Sequence, residues 1–114
     1  MNLLPENATK IEIDGSTVDF FEYKQDGLIY YYFDTSDRGA PEPMVNAMAG
    51  LQLLGEDKKL IMINHKPPMG LFPRIQQNYN YEIIELEDGR HKVVFTHKEG
   101  STPNVDFSAN TCAG

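Results

Sequence analysis

The run Asp34-Thr35-Ser36-Asp37-Arg38-Gly39-Ala40-Pro41-Glu42-Pro43-Met44 is where a strand pattern hands over to a helix pattern. Before it stands Leu28-Ile29-Tyr30-Tyr31-Tyr32-Phe33, apolar or aromatic at every position, and after it apolar residues return every third or fourth place. Pro43 has its φ preset for a first helical turn, where a missing N–H costs nothing, whereas Pro41 cannot lie inside a helix. The helix therefore starts near Glu42 or Pro43, with the Glu42 carboxylate complementing the partial positive charge at that end. Gly39 is expected to supply the backbone freedom of a tight strand-to-helix corner.

Working downstream, the spacing predicts a helix from Pro43 to Leu54 with Met44, Ala47, Met48, Leu51 and Leu54 on one stripe and Asn46, Gly50 and Gln52 facing away. Gly55 is expected to end it in a left-handed conformation. Lys59 to Asn64 reads as a strand buried on both faces, so strand, helix and strand form a right-handed crossover between parallel strands. A shorter helix is expected from Gly70 or Leu71 to Gln77. Tyr81 to Glu87 and Arg90 to His97 then read as a hairpin in which Ile84 and Leu86 match Val93 and Phe95.

Working upstream, Asp14-Gly15 and Asp26-Gly27 divide residues 10–34 into strand-like runs, as Asp88-Gly89 divides the last hairpin. Asp-Gly suits a two-residue turn whose central positions both need positive φ. Lys10 to Ile13 and Thr17 to Tyr23 are thus expected to pair, forming an N-terminal hairpin over 10–24. Residues 1–9 read as a flexible lead-in, 10–98 as one domain, and 99–114 as an irregular tail. The aromatic run 28–33 needs cover on both faces. The hairpin is expected to widen the sheet as extra strands, and a homodimer over the aromatic face is the alternative.

The Asp-x-x-x-Arg-Gly-x-Pro-Glu-Pro-Met corner, followed by a helix, a short strand and a second proline turn, resembles the TusA/SirA-like family over residues 28–98. That resemblance implies an α+β fold: a two-layer α/β sandwich with a β-α-β-α-β-β core and a mixed sheet, here extended by the N-terminal hairpin. Family members carry a Cys-Pro-x-Pro motif at this corner and pass sulfur as a persulfide; this chain has Ala40 where the cysteine would be. Alanine offers no nucleophile, so the family chemistry does not transfer to this position. His65-Lys66-Pro67-Pro68-Met69-Gly70-Leu71 is similar to the proline turn of a cysteine-less, uncharacterised branch.

Composition narrows the function classes. In 114 residues with 40% hydrophobic side chains the formal net charge is −7, so no basic field draws in nucleic acid or an anionic membrane. No apolar run reaches a membrane span, no signal peptide is recognised, and the single cysteine fits a reducing compartment, so a cytoplasmic protein is expected. The glycines at the turns are isolated rather than gathered in a phosphate loop, no Gly-x-Ser-x-Gly elbow occurs, and no His/Cys cluster has zinc spacing. Neither a cofactor, a metal nor catalysis is expected.

What remains is a rim. Parallel strands ending at one sheet edge bring their following loops together, so Arg38, Glu42, His65, Lys66 and Arg74 are candidate ligand-binding residues for a small anionic ligand or a protein partner. The bland reading is that Arg38 pairs with Asp34 or Asp37, Glu42 caps its own helix and Lys66 is solvated. Cys112, near the end of the tail, is the alternative site, as a displaced sulfur carrier. The reading that results is a non-catalytic binding or regulatory module.

Overall fold

A computed structural model describes residues 4–55 and 57–98. The elements are β1 (Thr9–Ile11), β2 (Phe20–Gln25), β3 (Leu28–Asp34), α1 (Glu42–Leu51), β4 (Lys58–Asn64), α2 (Phe72–Ile75), β5 (Tyr79–Glu85) and β6 (His91–His97). They form a compact α+β domain with a mixed six-stranded sheet in the order β1-β2-β3-β4-β6-β5. β3 and β4 run parallel, from Ile29 opposite Lys58 to Asp34 opposite Ile63, and the other neighbours are antiparallel. The N-terminal strands widen the sheet beyond β3. No described helix is long and apolar enough to cross a membrane.

Alternation within the central strands sorts their side chains onto two faces. Phe20, Tyr31, Phe33, Leu60, Met62, Val93 and Phe95 form one core with Ala47 and Leu51 of α1 and Phe72 and Ile75 of α2. Both helices thus lie on one face. On the other, Tyr23, Tyr32, Ile61 and Ile63 form a smaller cluster, against which Phe21, Tyr30, Val94, Leu86 and the N-terminal Leu4 and Ala8 pack. Asn7 Nδ2 donates to the Lys24 carbonyl at 3.2 Å, tying this lead-in to β2.

The buried stripe of α1 differs from the one its hydropathy suggests. Pro43, Asn46, Ala47, Gly50 and Leu51 face inward, while Met48 is exposed. Asn46 is fully buried because all its polar atoms are used. Its Oδ1 accepts from the Thr17 and Val18 N–H groups at 2.8 and 3.3 Å, and its Nδ2 donates to Thr17 Oγ1 and the Glu42 carbonyl, each at 2.8 Å. Gly50 faces inward because nothing larger fits: an added Cβ would stand 2.9 Å from both Leu60 Cδ1 and Phe20 Cε2. The helix ends without a left-handed glycine. Leu53 and Leu54 N–H groups donate to the Gly50 and Leu51 carbonyls, and Tyr79 Oη donates to Leu51 C=O at 3.1 Å. Positive φ occurs at Asp26, Gly15, Gly27 and Gly89, so neither Gly39 nor Gly55 has the special backbone expected of it.

Only one Asp-Gly pair makes a two-residue hairpin with both φ positive, Asp26-Gly27 between β2 and β3. Asp14-Gly15 lies inside a longer connection, residues 12–19, that Asn46 pins to α1. At the third pair, Leu86 N–H donates to Arg90 C=O and Gly89 N–H to Leu86 C=O, which closes a three-residue loop with Gly89 at φ +91°. That extra residue shifts the register by one and exchanges the faces of β5. Ile83 and Tyr81, instead of Ile84, lie opposite Val93 and Phe95. α2 is also shorter than expected, a single turn from Phe72 to Ile75.

Two substitutions test this packing. Asn46→Leu keeps the branched shape of the side chain but strands the Thr17 and Val18 donors, and is expected to lower stability by about 1–3 kcal/mol. Gly50→Val overfills the Leu60–Phe20 contact at a similar cost of about 1–3 kcal/mol. In each case the urea midpoint falls with an unchanged slope.

Candidate functional site

The carboxyl ends of β3 and β4 are fastened by buried polar groups. Thr35 N–H donates to the Ile63 carbonyl at 2.8 Å, and Thr35 Oγ1 lies 3.1 Å from Asn64 Oδ1. Asn64 Nδ2 reaches forward to the Lys66 carbonyl at 2.9 Å. Thr35 and Asn64 are buried, so these contacts set the directions in which both following loops leave the sheet.

Those loops line one groove of about 470 Å³, formed by Gly39, Ala40, Pro41, Pro43 and Met44 on one side and by Asn64 through Gly70 on the other. The Ala40–Pro41 peptide is cis. Its floor and walls are largely proline and methionine, with Met69 67% exposed at the lip. His65 and Lys66 are exposed there and supply its ionisable groups.

The other candidate residues lie elsewhere. Arg38 pairs with Asp37 at 3.7 Å and with Glu42 at 3.6 Å, and Glu42 Oε1 also accepts from Thr17 Oγ1 at 2.8 Å. Glu42 therefore fastens the 12–19 connection to the first turn of α1. Arg38 lines a separate concavity of about 450 Å³ with Phe21, Tyr32 and Asp34. Arg74 lines a third with Met44, Met48 and Gln52. His65 and Lys66 thus share a groove with the Ala40 corner, whereas Arg38, Glu42 and Arg74 are not part of its lining. Cys112 lies outside the described residues.

Two features escaped sequence reading because they depend on strand register. Arg90, at the β5–β6 turn, reaches Asp34 at the end of β3 at 3.1 Å and Asp88 at 2.8 Å. The two hydrogen bonds from Arg90, first its backbone N–H and then its guanidinium, hold the Asp88 carboxyl below its ordinary value. His91 lies opposite Asn64 across β4 and β6, next to the groove's own histidine in register, and its buried Nδ1 has no hydrogen-bond partner among the described residues. Among those residues no group of three or more His, Cys, Asp or Glu is placed to hold a metal ion.

No protein-family model, curated protein or solved structure matches the chain.

On the opposite sheet face, burial chiefly, then the nearby Asp34 carboxylate, pushes the Tyr32 hydroxyl up to about 12 against the Arg90 guanidinium, which lowers it. Since the folded value lies above the ordinary 10.0, the contribution is full below pH about 10 and is lost as pH rises towards 12. Tyr32→Phe is expected to flatten part of the alkaline fall in stability over that window while leaving the neutral-pH dependence unchanged. Urea midpoints measured from pH 8 to 12 check this; an unchanged alkaline limb refutes it.

Proposed function

We propose that this chain is a non-catalytic binding module with a TusA/SirA-like core, in which the corner groove holds an extended segment of a protein partner. The observation that carries this reading is that Ala40, the position of the family's sulfur-bearing cysteine, shares one groove with His65, Lys66, Pro67 and Pro68. The β-α-β-α-β-β succession from β3 to β6 supports the kinship. Pro41, Pro43, Pro67 and Pro68 give the wall rigid apolar surface at little entropic cost, and Met44 and Met69 add apolar area that adapts to its occupant, which suits an extended apolar segment. Lys66 at its rim favours a carboxylate on that segment, with the His65 imidazole beside it as a further hydrogen-bonding group. Ala40 leaves the corner open and chemically inert. The setting that composition suggests for such a module is the cytoplasm.

The full chain, labelled with ¹⁵N, is titrated with a library of proline-bearing apolar peptides synthesised in matched Glu-ended and Lys-ended forms, and separately with inorganic phosphate. Glu-ended peptides are expected to shift amides within 39–44 and 64–70, and Lys66→Glu to weaken them roughly tenfold. Equal response to both forms, shifts confined to the Tyr32 side, or no response overturns the reading. Shifts reproduced by phosphate alone replace the peptide with a small anion.

A further inference from the structure

The two edges of the sheet are unlike. β1, at one edge, is three residues long and carries Lys10, both of which discourage further pairing. β5, at the other, runs for seven residues, Tyr79-Asn80-Tyr81-Glu82-Ile83-Ile84-Glu85, without a lysine or a proline. Among the described residues nothing pairs with its outer side.

The hydrogen bonds at its two ends fix which backbone groups face outward. Leu86 N–H donates to Arg90 C=O, and Asn78 C=O accepts from Lys98 N–H. Backbone direction alternates along a strand, so even-numbered residues of this segment address β6. The N–H and C=O groups of Tyr79, Tyr81, Ile83 and Glu85 therefore point away from the sheet. Beside them, Tyr81 and Ile83 are 40% and 39% exposed on the helix-bearing face. Tyr81 is held in place by stacking on Phe72, with ring centroids 3.9 Å apart.

We propose that the outer edge of β5 is a homodimerisation site, where a second copy of this chain pairs antiparallel with its own β5 about a two-fold axis at Tyr81. The sequence of the strand selects this register. Tyr81 faces its symmetry mate and Tyr79 faces Ile83, both in hydrogen-bonding positions, which makes a continuous aromatic and aliphatic row on one face. On the other face Glu82 lies opposite Asn80, and beyond the row Glu85 lies opposite Gln77. The neighbouring register that centres on Glu82 instead sets two carboxylates directly opposite each other, which is unfavourable. A two-fold axis is self-complementary, so the contact closes at two copies and joins the two sheets into one. This surface shares no lining residue with the corner groove and does not depend on the groove's role.

The test uses the full chain. Sedimentation equilibrium from about 1 µM to about 1 mM, the range in which a small strand-pairing contact associates, is expected to show the mass rising from one chain towards two. Amide exchange at Tyr79, Tyr81 and Ile83 is expected to slow as concentration rises, with β1 unaffected. In a Cys112→Ser background, Tyr81→Cys is expected to form a disulfide-linked dimer on mild oxidation, because a hydrogen-bonded antiparallel pair holds Cα atoms about 5.5 Å apart, within disulfide reach. Ile84→Cys, whose copies are far apart in this register, is expected not to. Ile83→Lys is expected to remove the concentration dependence while retaining the far-ultraviolet spectrum. A single monomer mass throughout, a dimer unchanged by Ile83→Lys, or equal cross-linking at 81 and 84 overturns the proposal. Should the substituted chains fail to fold, mass and amide exchange of the unaltered chain decide alone.

Discussion

The parallel pairing of β3 with β4 is the constraint on which the rest depends. A parallel neighbour cannot be reached by a tight turn, so the chain must cross the sheet, and α1 makes that crossing. Once both strands end together, the buried Thr35 and Asn64 complete the join with hydrogen bonds that fix the exits of the two loops. The groove follows from those exits. Its proline walls are rigid because each ring fixes φ, and its chemistry is limited to what His65 and Lys66 bring.

Close approach of α1 to the sheet explains why a polar residue and a glycine face the core. Gly50 lets the helix lie against Leu60 and Phe20, and the nearness that results leaves Asn46 with no water to bond. Thr17, Val18 and the Glu42 carbonyl take that role. The same bonds turn the long connection before β2 into a strap over the first turn of α1, which Thr17 Oγ1 and Glu42 reinforce. A buried amide with every atom satisfied specifies one docking of that strap, where an apolar side chain would accept several.

The opposite face is built differently. Its tyrosines stack, Tyr23 on Tyr30 at 5.1 Å, and are covered by Leu4, Ala8 and the flanks of neighbouring strands rather than by helices. Arg90 clasps Asp34 from the far hairpin and so joins the β6–β5 end of the sheet to the β3 corner. One side of the sheet is therefore shaped by shape-matched packing, the other by aromatic rims and a charge pair. The edge between them, β5, keeps its outward backbone groups and three large apolar side chains, Tyr81, Ile83 and Ile84, accessible.

Local composition by itself determined the succession of elements, since strand alternation, helical recurrence and the prolines of the corner act within a few residues of where they stand. It also determined that Asp26-Gly27 turns tightly and that Ala40 and His65 follow neighbouring strands. Only the tertiary structure decided which face of each element points inward. At α1 the hydrophobicity of Met48 yielded to the space that Gly50 creates, and at β5 one additional loop residue at Gly89 exchanged Ile84 for Ile83 against Val93. The charge pair across the sheet is another such case: Arg90 reaches Asp34 from the far hairpin, whereas Arg38 and Glu42 pair locally, four residues apart, and leave His65 and Lys66 with the groove. Period and propensity are properties of a segment, whereas register, close approach and ion-pair choice are settled between segments, where a shift of one residue moves every side chain to the other side.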